Sequence, residues 1–246
     1  MAEPRQARVR APELRGRGWL NTGGRALTLP DLRGKIVVLD FWTFCCINCL
    51  HVLDELRPLE DKYADVLVVI GVHSPKFAHE RDPAALAAAV ERYAVGHPVL
   101  DDPELRMWDQ YAAKAWPTLA VVDPEGYVVA TMAGEGHAEG LARLIDELVA
   151  AHERKGTLHR GSGPYVPPAE PTTALRYPGK AVALPGGTLL VSDSAHHSLV
   201  ELAADGETVL RRIGSGARGR ADGPADAASF SEPQGLCLLP DRVAET

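Results

Sequence analysis

Three cysteines fall within five positions of the chain, and their spacing suits thiol chemistry. They are Cys45, Cys46 and Cys49, while the fourth cysteine, Cys237, stands alone. An apolar run typical of a strand precedes them and a helical pattern follows, so the Cys-Ile-Asn-Cys segment at 46–49 should begin a helix. A helix start offers unpaired N–H groups and the positive end of the helix dipole, which stabilise a thiolate. We therefore expect Cys46 to be the exposed nucleophile and Cys49 the more buried thiol that resolves a mixed disulfide.

The role of Cys45 leaves alternatives open. It could pair with Cys49 across one extra residue, or it could be an inert thiol at the end of the strand. We prefer Cys46 with Cys49, because side chains alternate along a strand and Cys45 should point away from Cys46. For all three thiols the alternative is a reduced, packed cluster, since free cysteine is often simply buried.

Asp40 is the second candidate for chemistry, six residues before Cys46 and inside the apolar run. A buried carboxylate without a partner is costly, and one beneath a dithiol can have a raised pKa and relay a proton to or from Cys49. Alternatively, Asp40 could end the strand and reach solvent or a lysine such as Lys35. The sequence alone favours neither of these two interpretations of Asp40.

The elements around these residues alternate between strands and helices. Continuous apolar runs at 36–42 and 66–72 are typical of strands buried on both faces. Leucines between them recur near helical spacing, and Pro58 should kink that helix or end its first part. The full predicted order is strand, helix, strand, helix, helix, hairpin, helix, which indicates a mixed α/β domain.

The composition changes after this domain. Residues 1–18, rich in Arg, Pro and Gly, are predicted to be a flexible N-terminus, and the α/β domain to cover 19–155. A linker with Gly and Pro is predicted at 156–177, followed by short strands without helical periodicity over 178–246. Those strands are expected at 180–184, 188–192, 198–203 and 207–213.

Four short antiparallel strands in about 40 residues match the size of one β-propeller blade. A weak repeat at an offset of 55 relates Pro178 and Pro185 to Pro233 and Pro240. The chain would then hold one blade and the first strand of a second, which suggests a truncated reading frame or a fragment. A small β appendage packed on the first domain is the alternative.

Composition and charge exclude several classes of function. With 26 Lys and Arg against 33 Asp and Glu, the net charge is −7, which disfavours binding to nucleic acid or to an anionic membrane. We see no apolar run of the roughly 18 residues that a membrane span needs, and no secretory signal at the start. These features indicate the cytoplasm, where thiols stay mostly reduced.

Taken together, these motifs resemble the thioredoxin superfamily. The match consists of a strand ending in Asp40-Phe41-Trp42, a dithiol at a helix start, and Trp116-Pro117-Thr118 before a hairpin. On base rates alone the bond before Pro117 would be trans. The resemblance implies instead a cis-proline that faces the dithiol, and it places Asp40 at the position of the family's buried acid.

A closer resemblance covers nearly the whole chain after residue 18. The segments FWTFCCINCLHVLDEL and AWPTLAVVDPEGYVVA are similar to the thioredoxin-like domain of proteins that fuse it to an NHL-repeat β-propeller. LLVSDSAHHSLVEL and DGPADAASFSEPQGL are similar to an NHL blade and its connecting loop. The implied fold class is an α/β thioredoxin-like fold followed by an incomplete all-β propeller segment. The chain departs from thioredoxins at Cys45, where they carry tryptophan, and at Ile47-Asn48, where they carry Gly-Pro.

The resulting hypothesis is a thiol–disulfide oxidoreductase with Cys46, Cys49, Pro117 and Asp40 at its site and with no cofactor or metal. Expected partners are disulfide-bearing proteins or small thiols, a cellular dithiol reductant, and a protein that docks on the NHL segment. The alternative is a non-catalytic interaction module with a vestigial dithiol.

Two minor hypotheses are peroxide reduction and a zinc site. Peroxide reduction needs a threonine and an arginine that polarise the peroxide. Thr43 is expected to lie in the strand. Zinc needs four ligands, whereas one Cys-x-x-Cys motif supplies two; the available histidines are His51, His73 and His79.

Overall fold

The computed structural model of the chain describes residues 8–169 and 173–239. Contacts divide the chain into two compact units, Met1–Ala169 and Glu170–Thr246. Within the described ranges, each helix is too short or too polar to cross a membrane.

A seven-stranded mixed sheet forms the centre of the first unit. Its strands are β1 (Val9–Arg10), β2 (Gly18–Leu20), β3 (Ile36–Trp42), β4 (Leu67–His73), β5 (Val99–Asp101), β6 (Thr118–Val122) and β7 (Tyr127–Ala133). Their order across the sheet is β1-β7-β6-β3-β4-β5-β2. β3 is central, parallel to β4 and antiparallel to β6. The sheet thus confirms the mixed α/β class, and it adds three strands of two or three residues that are too short for a periodic signal.

Four α-helices accompany the sheet. They are α1 (Ile47–Lys62), α2 (Pro83–Arg92), α3 (Arg106–Gln110) and α4 (Ala138–Lys155), and a 3₁₀-helix covers Ala78–Arg81. α1 continues through Pro58 to Lys62, so the proline does not end this helix. Asp82 caps α2 by accepting the N–H of Ala84.

Both faces of the central strands are buried, which explains their unbroken apolar sequence. Val37, Leu39 and Phe41 of β3 pack in one cluster with residues of α3. Ile36 and Val38 point to the opposite face and pack with α1 and α4. Asp40 and Trp42 therefore also face the α1 side, because side chains alternate along a strand.

The N-terminal segment differs from the predicted flexible lead-in over the residues that the structure describes; residues 1–7 lie outside them. Val9–Arg10 pairs with β7 as an edge strand, and Ala11 and Leu14 are buried in the core. The guanidinium of Arg8 forms an ion pair with Asp123 at 2.6 Å. Arg8, within the segment predicted to be flexible, therefore has a partner that is distant in sequence.

The predicted linker also packs on the first unit over its first part. Leu158 lies against the α1/α4 cluster. The N–H of His159 donates to the carbonyl of Gly34, and that of Val166 donates to the carbonyl of Asn21. The part of the predicted linker up to Val166 is therefore packed against the first unit, although it is rich in glycine and proline.

The second unit contains a four-stranded antiparallel sheet in the order β11-β10-β9-β8. Its strands are β8 (Pro178–Ala183), β9 (Leu189–Asp193), β10 (Ser198–Leu202) and β11 (Val209–Ile213), close to the predicted positions. Val191, Val200 and Leu202 form its small apolar core. A second blade would begin near Pro233, and no strand is assigned over 233–239, while Pro240 lies outside the described residues. The propeller therefore stays a proposal.

We predict that Ile70→Ala lowers the free energy of unfolding of the first unit by about 2–5 kcal/mol, because Ile70 is fully buried in β4 and truncation leaves a cavity. Urea unfolding followed by tryptophan fluorescence measures this selectively, since all four tryptophans lie in the first unit. Val129→Ala on the exposed side of β7 is the control and should change stability by less than about 0.5 kcal/mol. Equal losses in both variants would contradict the core described here.

Candidate active site

Cys46 is the N-cap residue of α1 and lies four residues after Trp42, where β3 ends. Its backbone is extended, with φ −119° and ψ 106°, and its Sγ accepts the N–H of Cys49 at 3.3 Å. The carbonyl of Cys46 accepts the N–H groups of Cys49 and Leu50. A sulfur in this position takes the place of the serine or aspartate oxygen that usually caps a helix, at the end where the unpaired N–H groups and the positive end of the helix dipole lie.

The two thiols of the motif differ in exposure, as the sequence predicts. Cys46 is half-buried, whereas Cys49 is fully buried against Trp42 and Leu53. Burial raises the pKa of the Cys49 thiol well above its ordinary range, and the neighbouring Cys46 raises it further. Cys49 therefore holds its proton until a base accepts it.

Asp40 lies fully buried on the same face of the sheet as these thiols. Neither carboxylate oxygen has a hydrogen-bond partner among the described residues. Burial raises the pKa of Asp40 to about 8, with a smaller contribution from the negative charge of Glu60. The alternative with Lys35 is wrong, because its Nζ donates to the carbonyls of Asp65 and Gly161.

Cys45 is exposed and faces a different neighbour. The Sγ of Cys45 lies 3.4 Å from Nε2 of His79. All four cysteines are free thiols in the structure. The contrast between an exposed Cys45 and a buried Cys49 favours Cys46 as the partner of Cys49. Burial and the nearby Glu80 raise the pKa of the Cys45 thiol.

Glu80 binds the segment that leads into the dithiol. No sequence pattern indicated a role for this residue. Its buried carboxylate accepts hydrogen bonds from the hydroxyl of Thr43 and from the N–H groups of Cys45, Lys76 and Phe77. Burial alone would raise the pKa of Glu80, but these hydrogen bonds hold it below its ordinary value. Glu80 sits on the short 3₁₀-helix Ala78–Arg81, which has no periodicity that could have marked it.

His73 ends β4 beside Trp42 and is also fully buried. Its ring stacks on Phe44 with the centroids 5.3 Å apart. Burial lowers the pKa of His73 to about 4, so the ring is neutral near pH 7. His73 therefore acts as an uncharged aromatic side chain that packs against Trp42 and Phe44 below the dithiol.

Pro117 begins β6, and the Trp116–Pro117 peptide bond is cis, as the family resemblance implied. Thr118 is paired with Phe41 of β3, so Pro117 lies at the end of the sheet from which the cysteine segment emerges. Trp116 packs against the cluster that contains Cys49. Its Nε1 donates to the carbonyl of Ser74 at 2.8 Å.

The side chains that could together bind a metal ion lie outside the dithiol site. Among the described residues they form one group, Asp123, Glu125 and His152, which contains no cysteine. Arg8 already pairs with both carboxylates, and Lys155 pairs with Glu125. The cationic side chains therefore meet the charge that a metal ion would neutralise.

Comparison with known proteins agrees with this geometry. Residues 34–128 match the family model described as thioredoxin-like. A solved structure described as a thioredoxin-like protein in the oxidized form superposes with a TM-score of 0.52 and is 26% identical, covering 58% of this chain and 97% of its own. A Bacillus subtilis protein named thiol-disulfide oxidoreductase YkuV is also 26% identical, over 58% of this chain and 95% of its own length.

Relatives that match both units are much longer proteins. Protein SUPPRESSOR OF QUENCHING 1, chloroplastic, of Arabidopsis thaliana is 39% identical over 95% of this chain and 23% of its own length. NHL repeat-containing protein 2 of Gallus gallus is 37% identical over 96% of this chain and 33% of its own length. The chain thus spans about a quarter to a third of these relatives. Its first unit contains a thioredoxin-like domain, and over nearly its whole length the chain is similar to NHL repeat-containing protein 2.

Proposed function

We propose that this chain is a thiol–disulfide oxidoreductase that exchanges disulfides through Cys46 and Cys49. The hydrogen bond from the N–H of Cys49 to Sγ of Cys46 at the start of α1 carries this proposal. It shows that the two cysteines lie within one helical turn of each other, and it aims a backbone N–H at the more accessible sulfur, the one that would attack a disulfide. The relatives described as thioredoxin-like support a redox fold.

The exchange proceeds in two displacements. The thiolate of Cys46 attacks one sulfur of a substrate disulfide, forming a mixed disulfide and releasing the other sulfur as a thiolate, which takes a proton from water. Cys49 then loses its proton and attacks Sγ of Cys46. The Cys46–Cys49 disulfide forms, the second substrate thiolate leaves, and the substrate has gained two electrons.

Asp40 accepts the proton in the second displacement. The buried thiol of Cys49 needs a base, and the carboxylate of Asp40 is close enough for its charge to raise the pKa of Cys49. Because burial already holds the pKa of Asp40 near 8, this carboxyl can take up and release a proton near neutral pH.

The proposed substrates and reductant follow from the dithiol chemistry of the site. We propose disulfide-bearing proteins or small thiols as substrates, a cellular dithiol as reductant, and a protein partner at the NHL-like unit. One relative is named as chloroplastic, and the cytoplasmic location of this chain stays a prediction.

The first prediction separates the roles of the two thiols. Cys46→Ser should abolish reduction of a test disulfide, because the attacking sulfur is gone, whereas Cys49→Ser should accumulate a mixed disulfide that mass spectrometry detects. Cys45→Ser and Cys237→Ser are matched controls and should keep most of the activity. If the Cys46 and Cys49 variants were as active as the parent protein, the non-catalytic interaction module would be the better account.

The second prediction concerns Asp40. The rate of the second displacement should rise as the pH increases through about 8, where the carboxyl loses its proton. Asp40→Asn should lose this rise and slow the step by about 100-fold at the high-pH plateau. Stopped-flow measurement of a preformed mixed disulfide between pH 6 and 9 tests this.

A stability measurement on the same variant checks that burial is the cause. The folded protein holds a proton on Asp40 between pH 3.8 and about 8 that the unfolded chain releases. Stability from this group is therefore complete below pH 3.8 and is lost as the pH rises towards 8. Asp40→Asn should flatten that decline in urea unfolding; an unchanged slope would show that Asp40 titrates normally.

A further inference from the structure

Three buried polar groups converge beside Gly71, in the middle of the first unit. They are the carboxylate of Asp40, Nε1 of Trp42 and Nε2 of His97, and none has a hydrogen-bond partner among the described residues. Trp42 Nε1 and His97 Nε2 lie 2.9 and 3.1 Å from the point that a Cβ on Gly71 would occupy. Buried polar atoms are nearly always paired, so this convergence requires an explanation.

Asp40 faces the same point from the neighbouring strand. Gly71 is its partner in the parallel pairing of β3 and β4, and partners in register present their side chains on one face about 4.8 Å apart. Trp42 lies two residues further along β3 and shares that face. Because Gly71 adds no side chain, the space beside the Asp40 carboxyl is bounded by the indole and by the imidazole of His97.

The other nitrogen of His97 leads towards the surface. Its Nδ1 lies 3.0 Å from Oε1 of Glu60 on α1. The His97 side chain is 4% exposed and the Glu60 side chain is 22% exposed, so the pair connects the interior with solvent. The amide of Asn21 donates to the carbonyls of Val95 and His97, which fixes the loop that carries the ring.

We propose that His97 and Glu60 form a proton path that connects Asp40 with solvent, with one internal water molecule bridging Asp40 and His97. This inference rests on the proposed function, because the proton it carries is the one that Asp40 takes from Cys49. A water at this point accepts the N–H of Trp42 and donates to Nε2 of His97 and to the Asp40 carboxylate. One water molecule with three hydrogen bonds then pairs with Trp42 Nε1, His97 Nε2 and one oxygen of the Asp40 carboxyl.

The protons balance along this path. Cys49 gives its proton to Asp40, which passes one through the water to Nε2 of His97. The imidazole releases a different proton from Nδ1 to Glu60 and on to solvent, so the ring ends neutral in its other tautomer. When the disulfide is reduced again, Cys49 regains a proton from Asp40, and the reverse transfer restores the first tautomer. No electrons move along the path, since those of the exchange stay on sulfur.

The groups that face Asp40 from the packed elements are few. Cys49 and Glu60 approach from α1, and His97 approaches from the loop between α2 and β5. Glu60 therefore acts on Asp40 in two ways, as the end of the path and as a nearby negative charge. The experiment has to separate these two effects.

The test uses the full chain with Cys45→Ser and Cys237→Ser as the parent, and 5,5′-dithiobis(2-nitrobenzoate) as the disulfide. Attack by Cys46 releases one thionitrobenzoate, and attack by Cys49 on the mixed disulfide releases the second, so the two displacements appear as two phases. His97→Gln and Glu60→Gln should leave the first phase unchanged and slow the second about tenfold. The rise of the second phase with pH should persist in His97→Gln, because that rise reports the ionisation of Asp40. Glu60→Gln should move the rise to lower pH, because the negative charge that raises the Asp40 pKa is gone.

The double variant and a neighbouring control separate a path from a charge effect. If His97 and Glu60 act in series, the double variant is no slower than His97→Gln alone. Asp61→Asn removes an exposed charge next to Glu60 on α1 and should leave both phases unchanged. A second phase of parental rate in His97→Gln, or equal slowing in Asp61→Asn, would overturn the path. Absence of the second phase in the parent would instead overturn the proposed function itself and the path with it.

Discussion

The hydrogen bond between the N–H of Cys49 and Sγ of Cys46 depends on where β3 stops and α1 starts. β3 is buried on both faces as far as Trp42, and α1 begins at Ile47. The four residues between them place Cys46 at the N-cap position, where a side chain replaces a missing turn of helix. A shift of this junction by one residue would put Cys45 or Ile47 at the cap, and Sγ of Cys46 would lose the hydrogen bond from the N–H of Cys49.

Two side chains that are distant in sequence hold this junction in place. Glu80 binds Thr43 and the N–H of Cys45 from the 3₁₀-helix Ala78–Arg81, so the turn before the cap is fixed by a buried carboxylate with four donors. Trp116 packs against the cluster that contains Cys49. The reacting sulfurs are thus positioned by side chains more than 30 residues away in sequence.

Burial gives the groups behind the sulfurs their chemistry. Desolvation raises the pKa of both Cys49 and Asp40, so the Cys49 thiol keeps its proton until an ionised Asp40 can accept it. The same burial lowers the pKa of His73 and keeps its ring neutral. Buried Asp40 lowers the free energy of unfolding above pH 3.8, where the unfolded chain releases the proton, and functional sites in proteins retain local costs of this kind.

The sequence by itself determined the periodic elements and the local motif. The apolar runs predicted β3 and β4, the leucine spacing predicted α1, and the position of the cysteines between strand and helix predicted which thiol is buried. These features follow from short-range rules, namely side-chain alternation and helix capping. Only the tertiary structure decided the partners of isolated residues. The segment 8–18 pairs and packs although it lacks periodicity. Glu80 accepts hydrogen bonds from a loop that is distant in sequence, and His97 lies beside Asp40 because Gly71 has no side chain. Such contacts depend on how elements far apart in sequence pack together, and no local pattern records that packing.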